Sequence, residues 1–465
     1  MKYFPVLFII IVFSVFSCSS KHHHGADSLD TVLVKGKVTD VIKCRYDVTQ
    51  SYALYLPSNY DKNKKWPVVY MFDPHAKGAY PLTKYSAIAE KFGYILIGSN
   101  NSQNGVQFNV IKNFFDTLYS DSHRKFSIDD NFIYAAGFSG GSRVASNLAV
   151  YGKIKSVIAC GAGMSGNEVN SANFGYYGIA GNEDFNQNEM FALKEILPQK
   201  SIPYCFDTFD GKHEWPPDSI MEQAFLWLKL QAVKNKLIIA DTTEINPVFK
   251  KWEKEFIELK SKNICKAYQL CEKMISFFDG IKDVSAYKKS LEELKKNPSY
   301  IAAIQKQKTI SEKEIKLQSD YAVAIGEKDT LWWKKQVTLI NQQIKTNADK
   351  DERVMYKRLL NYLSLVAYMN TNNAMKMNDY ETAYRYVIIY SLVDPENTDC
   401  AYFKTVILMK KGKIPEALLS LENAARLGFS DAGKLESDTI MDRLRTQEKY
   451  SKIIEEIKMN STKEK

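Results

Sequence analysis

Up to about residue 232 the chain alternates short β-branched or aromatic runs with helix-length amphipathic segments, and beyond Ile238 it never does so again. Strand-length and helix-length segments in alternation build a mainly parallel sheet with crossover helices on both faces. The strands are expected at Val32–Val41, Tyr52–Leu56, Val68–Phe72, Tyr94–Gly98, Phe132–Ala136, Ser156–Ala159, Tyr176–Ala180 and Tyr204–Phe209. Helices are expected at Tyr85–Lys91, Val110–Tyr119, Gly141–Tyr151, Asn188–Leu197 and Ser219–Ala232. This places an α/β domain over 31–236.

In the second half Gly and Pro become rare, and Lys, Glu, Leu and Ile recur at helical spacing, so 240–465 is expected to be an all-α domain. Within it, Asn378-Asp379-Tyr380-Glu381-Thr382-Ala383 matches Gly412-Lys413-Ile414-Pro415-Glu416-Ala417 at an offset of 34 residues. That is the period of tetratricopeptide helix pairs, and the stretch 366–430 resembles them. Such pairs stack into surfaces that bind other proteins, so a protein partner is expected here.

The amino-terminal end carries a different message. Lys2 precedes an apolar run from Phe4 to Phe16, too short to span a bilayer and shaped like the core of a signal peptide. The run ends in Ser14-Val15-Phe16-Ser17-Cys18, which resembles a bacterial lipobox. Residues 1–18 are therefore expected to be a lipoprotein signal, Cys18 the lipid-bearing residue, and the polar stretch 19–30 a tether. Three histidines, His22 to His24, fall in that tether and are read as solvated rather than metal-binding. With no acidic pair after Cys18, the expected location is the cell envelope, at the outer membrane facing the periplasm, with the lipid as the only membrane contact.

Charge argues against a nucleic-acid ligand. The net charge is +9, yet residues 27–235 carry 21 basic and 21 acidic side chains, and the surplus is spread thinly along the helical half. Cys44, Cys160, Cys205, Cys265, Cys271 and Cys400 are scattered, without metal or scaffold spacing, and read mostly as small buried apolar residues. No metal or cofactor is expected.

Gly137-Phe138-Ser139-Gly140-Gly141 has the G-x-S-x-G form, which turns sharply from strand to helix and lifts the serine hydroxyl out of the sheet. The motif is weak by itself. Its context strengthens it: a strong strand pattern, Phe132 to Ala136, stands before it, and a helical pattern, Arg143 to Tyr151, follows. A serine needs a general base. His22, His23, His24 and His123 fall in polar connections, and His75 precedes the serine. His213 remains, in a loop between the last strand and the last helix of the α/β half. With the order serine, acid, histidine of this strand-turn-helix element, Asp184 is the expected acid. Glu183 should point the other way, and Asp207 and Asp210 follow the wrong strand.

Acyl transfer also needs N–H groups aimed at the developing oxyanion. Gly140, next to the serine, supplies one. The second is expected from the loop Phe72 to Gly78, at His75 or Ala76. Asn100 and Asn101 after the fourth strand, with Ser102 and Asn104 beside them, are candidate substrate-binding groups, as is Trp215 beside His213.

On these residues, 45 to 232 resemble the α/β-hydrolase superfamily, near its polyhydroxybutyrate-depolymerase and feruloyl-esterase-like branch. The string His213-Glu214-Trp215-Pro216 supports that branch, while Asp73-Pro74-His75-Ala76 departs from the His-Gly-Gly loop of esterases. The resemblance implies an α/β-hydrolase fold and a serine hydrolase, with a carboxylic ester, small or polymer-linked, as substrate. A prolyl-oligopeptidase-like peptidase would use the same three residues. A non-catalytic hydrolase-like scaffold would have no need of them. All three precede Ile238, so a chain ending near Lys236 is expected to fold and act on its own.

Overall fold

The computed structural model describes residues 33–463. The expected signal segment, Cys18 and the tether lie outside the described residues. Eight strands form one sheet: β1 (Val38–Lys43), β2 (Ser51–Tyr55), β3 (Trp66–Phe72), β4 (Ile95–Ser99), β5 (Ile128–Phe138), β6 (Ser156–Cys160), β7 (Gly175–Gly181) and β8 (Tyr204–Phe209). Their order is β1-β2-β4-β3-β5-β6-β7-β8. β2 is antiparallel to both neighbours and every other pairing is parallel. This is the α/β-hydrolase fold, followed by an all-α region.

The crossover elements are α1 (Ala79–Phe92), α2 (Phe108–Lys125), α3 (Gly140–Ala149), α4 (Gly166–Ser171), α5 (Gln187–Ile196) and α6 (Asp218–Lys234). Because side chains alternate along a strand, β3 and β4 feed two separate cores. Val68, Tyr70, Phe72, Ile95 and Ile97 pack with Ile111 and Phe115 of α2 and Leu148 of α3. Val69, Met71 and Leu96 face the opposite side, against Leu82 and Tyr85 of α1 and Phe225 of α6.

Several boundaries differ from expectation, two of them for evident local reasons. The first strand begins at Val38 rather than Val32, because Gly36 takes a left-handed φ of 73° and its N–H donates to the Leu56 carbonyl, which ends the extended run. α1 begins at Ala79, six residues before Tyr85. Pro81 lies in its first turn, where a missing N–H has no intrahelical acceptor to serve.

The helical region contains α7 (Thr242–Lys262), α8 (Ile264–Phe278), α9 (Ser285–Lys295), α10 (Pro298–Glu327), α11 (Thr330–Thr346), α12 (Lys350–Lys376), α13 (Tyr380–Val393), α14 (Thr398–Lys410) and α15 (Ile414–Arg426), with shorter helices to residue 463. The core does not break at the boundary expected between 236 and 240. Trp252, Phe256, Met274, Phe277 and Phe278 of α7 and α8 belong to the same cluster as Phe225 and Trp227 of α6. Polar bonds reinforce the joint: Trp227 Nε1 donates to Ser276 Oγ at 3.1 Å, and Lys273 Nζ lies 2.6 Å from Asp207 Oδ1. A separate core starts only near Tyr321 and runs to Ile457.

The 34-residue offset has a structural counterpart. Two residues beyond α12 Asn378 holds φ 58°, and two beyond α14 Gly412 holds φ 74°. At both ends the N–H of the next residue reaches back five positions, Asp379 to the Ala374 carbonyl and Lys413 to that of Leu408. This is the same left-handed helix stop made twice. Ala383 and Ala417 are both fully buried. Among the described residues no helix is long and apolar enough to cross a membrane.

Candidate active site

Ser139 sits between the end of β5 and the first residue of α3 with φ 53° and ψ −121°, a conformation that costs a non-glycine residue energy and persists only where its surroundings impose it. The surroundings are tight. A Cβ on Gly137 would lie 2.1 Å from the Gly141 carbonyl oxygen, and one on Gly141 would lie 2.0 Å from that of Phe72. The two glycines let the strand, the turn and α3 approach to backbone contact, and the Ser139 N–H is fixed on the Cys160 carbonyl at 2.8 Å.

The structure brings Ser139, Asp184 and His213 together from three loops. His213 Nε2 is 2.8 Å from Ser139 Oγ, and His213 Nδ1 is 2.9 Å from Asp184 Oδ1. The ring of His213 packs on Phe138, with centroids 4.6 Å apart, and on Phe185, at 4.2 Å. Asp184 is fully buried, and its Oδ1 also accepts from the Asn186 N–H at 2.8 Å. With Nδ1 donating to the carboxylate, Nε2 is left as the lone-pair nitrogen facing the serine hydroxyl. The neighbouring acids lie elsewhere: Glu183 pairs with Lys357 of α12 at 2.6 Å, and Asp207 with Lys273 and the Tyr177 hydroxyl.

Gly140 is the first residue of α3, and the N–H groups that reach back to the Ser139 carbonyl belong to Ser142 and Arg143. Its own N–H therefore has no carbonyl a turn earlier to bond, and it stands at the positive end of the helix. His75 and Ala76 are differently placed. The His75 N–H donates to Asp73 Oδ1 at 2.9 Å and the Ala76 N–H to the Asp73 carbonyl at 3.2 Å, so each already has an acceptor inside its own turn. Ala76 holds φ 58° there.

The amides expected to meet substrate, Asn100 and Asn101, have partners within the chain. Asn100 donates to the Asp40 carbonyl at 3.0 Å and to Ser51 Oγ at 3.3 Å. Asn101 accepts from the Ser51 N–H at 2.8 Å and donates to the Thr49 carbonyl. Both tie the loop after β4 to the β1–β2 hairpin, because their amides satisfy backbone groups there. Asn104 is the member of that run that reaches the site: its carboxamide lies against Gly140, where a Cβ would come within 1.8 Å of Oδ1. Trp215 is 6 % exposed and packs on Phe138 and Tyr85, which fixes the loop that carries His213.

Asp73 is a residue that sequence reasoning passed over. It is buried, and burial acts to raise its pKa, but the His75 ring 3.6 Å away and hydrogen bonds from the His75 N–H and Trp215 Nε1 outweigh this and hold the carboxyl below its usual range. Its signal was position: the first residue after β3, at the start of the loop that carries His75. Arg143 of α3 grips Glu189 of α5 through two bonds of 2.7 and 2.8 Å, fixing the helix that follows the acid loop. A cavity of about 1240 Å³ lies away from the triad, between α5 and β8 on one side and α8 and α10 on the other. Among the described residues no cluster of metal-ligating side chains occurs.

No protein-family model and no curated protein matches the chain. Solved structures do. S-formylglutathione hydrolase FrmB from Staphylococcus aureus is 14% identical with a TM-score of 0.35, the match covering 42% of this chain and 99% of that one. A ferulic acid esterase is 16% identical with a TM-score of 0.35, covering 41% and 97%. An esterase from the archaeon Pyrobaculum calidifontis is 13% identical with a TM-score of 0.35, covering 43% and 87%. The assignment of the fold rests on the strand order and pairing described above.

Proposed function

We propose that this chain is a serine hydrolase that cleaves carboxylic esters through an acyl-enzyme on Ser139. The reading is carried by one observation: a strained, half-buried serine whose hydroxyl lies 2.8 Å from an imidazole nitrogen, with the other ring nitrogen 2.9 Å from a buried carboxylate. In this scheme Ser139 Oγ attacks the ester carbonyl carbon as its proton passes to His213 Nε2, and Asp184 stabilises the imidazolium so formed. The imidazolium then gives the proton to the departing alkoxide. Water attacks the acyl-enzyme with His213 again as base and frees Ser139. The Gly140 N–H, at the start of α3, faces the oxyanion in both halves of the cycle.

The buried surroundings of His213 favour this use. Phe138 and Phe185 both pack against the ring, with centroids 4.6 and 4.2 Å away, while its two nitrogens meet the serine and the acid. Only the six-residue α4 lies between β6 and β7, which supports a site open to bulky or polymer-linked esters. Lipid attachment through Cys18 and a protein partner bound by tetratricopeptide-like helix pairs over 366–430 complete the proposal. The repeated stop at Asn378 and Gly412 supports the latter.

The test is steady-state hydrolysis of p-nitrophenyl acetate and butyrate beside a matched peptide p-nitroanilide. Turnover of the esters, lost in Ser139→Ala, is expected. Faster turnover of the anilide would replace the esterase reading by a peptidase.

A further inference from the structure

The acid loop is held from two sides, and one of the two sides belongs to the helical region. The N–H of Asn182 donates to the Phe209 carbonyl at 2.8 Å and the N–H of Glu183 to the Gly211 carbonyl at 2.9 Å, fastening this loop to the loop that carries His213. The opposite ends of the same two residues point to α12. Arg358 Nη1 donates to the Asn182 carbonyl at 3.1 Å, and Asn361 Nδ2 to the Glu183 carbonyl at 2.9 Å. Lys357 adds an ion pair to the Glu183 side chain.

Arg358 is itself immobilised. Its Nε and Nη2 meet the fully buried carboxylate of Glu314 on α10 at 3.0 and 2.6 Å, and a buried guanidinium held in two directions has little freedom to leave its third partner. Asp184 follows Glu183 directly, and its Oδ1 must meet His213 Nδ1 within a few tenths of an ångström. We propose that Arg358 and Asn361 are positioning residues of the active site: α12 presses the acid loop against the base loop and so sets the Asp184–His213 hydrogen bond. The inference rests on the triad reading of Ser139, Asp184 and His213. It makes the helical region part of the catalytic apparatus, across separations of 176 and 178 residues.

The experiment compares full-length wild type, Asn361→Leu, and the paired change Glu314→Gln with Arg358→Met, which removes the donor without stranding a buried charge. Folding is checked by circular dichroism. kcat and KM are measured on p-nitrophenyl butyrate, and the downfield proton resonance of His213 Nδ1–H is recorded without substrate. A misplacement of about 1 Å at a catalytic group costs up to roughly 100-fold. We expect kcat to fall at least tenfold in Asn361→Leu and further in the paired variant, with KM within about twofold of wild type and the resonance shifted or lost. Folded variants with wild-type kcat and an unchanged resonance overturn the proposal, as does a fall in kcat with the resonance intact. If the paired variant does not fold, Asn361→Leu decides alone. Failure of the triad reading shows separately, as hydrolysis that survives Ser139→Ala; the resonance still reports on the clamp in that case.

Discussion

Trp215 Nε1 donates to Asp73 Oδ2 at 3.1 Å, joining the loop that carries the base to the loop that follows β3 across 142 residues of sequence. The carboxylate is nearly inaccessible and shares its other oxygen with the His75 N–H. Trp215→Phe keeps the ring packing on Phe138 and Tyr85 but leaves Asp73 one donor short. A hydrogen bond to a charged group is worth about 1.5–3 kcal/mol, so denaturant unfolding should show a loss of that order. kcat should fall with it, because the base loop loses its tie. An unchanged midpoint would show that the bond contributes nothing.

The nucleophile turn is the most tightly packed part of the site. Gly141→Ala places a methyl 2.0 Å from a backbone oxygen of β3, which cannot yield without moving the strand. Gly166→Ala, with open space around it, serves as the control. The first should abolish ester hydrolysis and lower the melting temperature by several degrees, while the second should leave both unchanged. Equal behaviour of the two would contradict the packing account.

Removal of the helical half should not leave a working enzyme. A chain ending near Lys236 takes Ser276 and Phe277 of α8 away from the fully buried Trp227 and Tyr177, and strips Asp207 of Lys273. Each such side chain loses up to about 1.5–3 kcal/mol of burial, which together is a large part of the stability of a domain. The expected product is aggregated or unfolded by circular dichroism. A soluble, folded and active fragment would show that the joint at α6–α8 is dispensable.

Much of this was legible in the sequence and some of it was not. The eight strand runs and the order Ser139, Asp184, His213 were readable because period-two apolar runs and a strand-turn-helix motif are local signals. The bonds of Asn100 and Asn101 to the β1–β2 hairpin were not, since a polar loop after a strand reads alike whether its amides face solvent, substrate or a neighbouring hairpin. The membership of α7 and α8 in the hydrolase core was hidden for a related reason: an amphipathic helix reveals that it has an apolar face, not what covers it. Arg358 and Asn361 carry no local mark at all, because their partners are backbone carbonyls far away in the chain.

Lys234 offers a pH test of the joint between the halves. Burial pulls its pKa down to about 8, with the nearby Asp279 carboxylate opposing, and its Nζ donates to the Ser276 carbonyl. A lysine whose folded pKa is depressed is protonated in the unfolded chain and neutral in the folded one between pH 8 and about 10.4, so its contribution to stability rises with pH across that window. Below pH 8 the folded protein must keep a desolvated charge. Lys234→Met should therefore raise the melting temperature most near pH 7 and progressively less toward pH 10, by calorimetry at matched ionic strength. A benefit that grows with pH would contradict the assignment.

The central claim is that Ser139 is a nucleophile activated by His213 and Asp184. It is tested most directly by reacting the protein with a fluorophosphonate probe and mapping the adduct by peptide mass spectrometry. The account predicts a single adduct on the peptide containing Ser139, absent in Ser139→Ala. Labelling should be slowed by orders of magnitude, to as much as about 10⁴-fold, in Asp184→Asn, and stay close to wild type in Asp207→Asn, whose carboxylate serves Lys273 instead. An adduct on a different serine, or a folded wild-type protein that does not react, would contradict it.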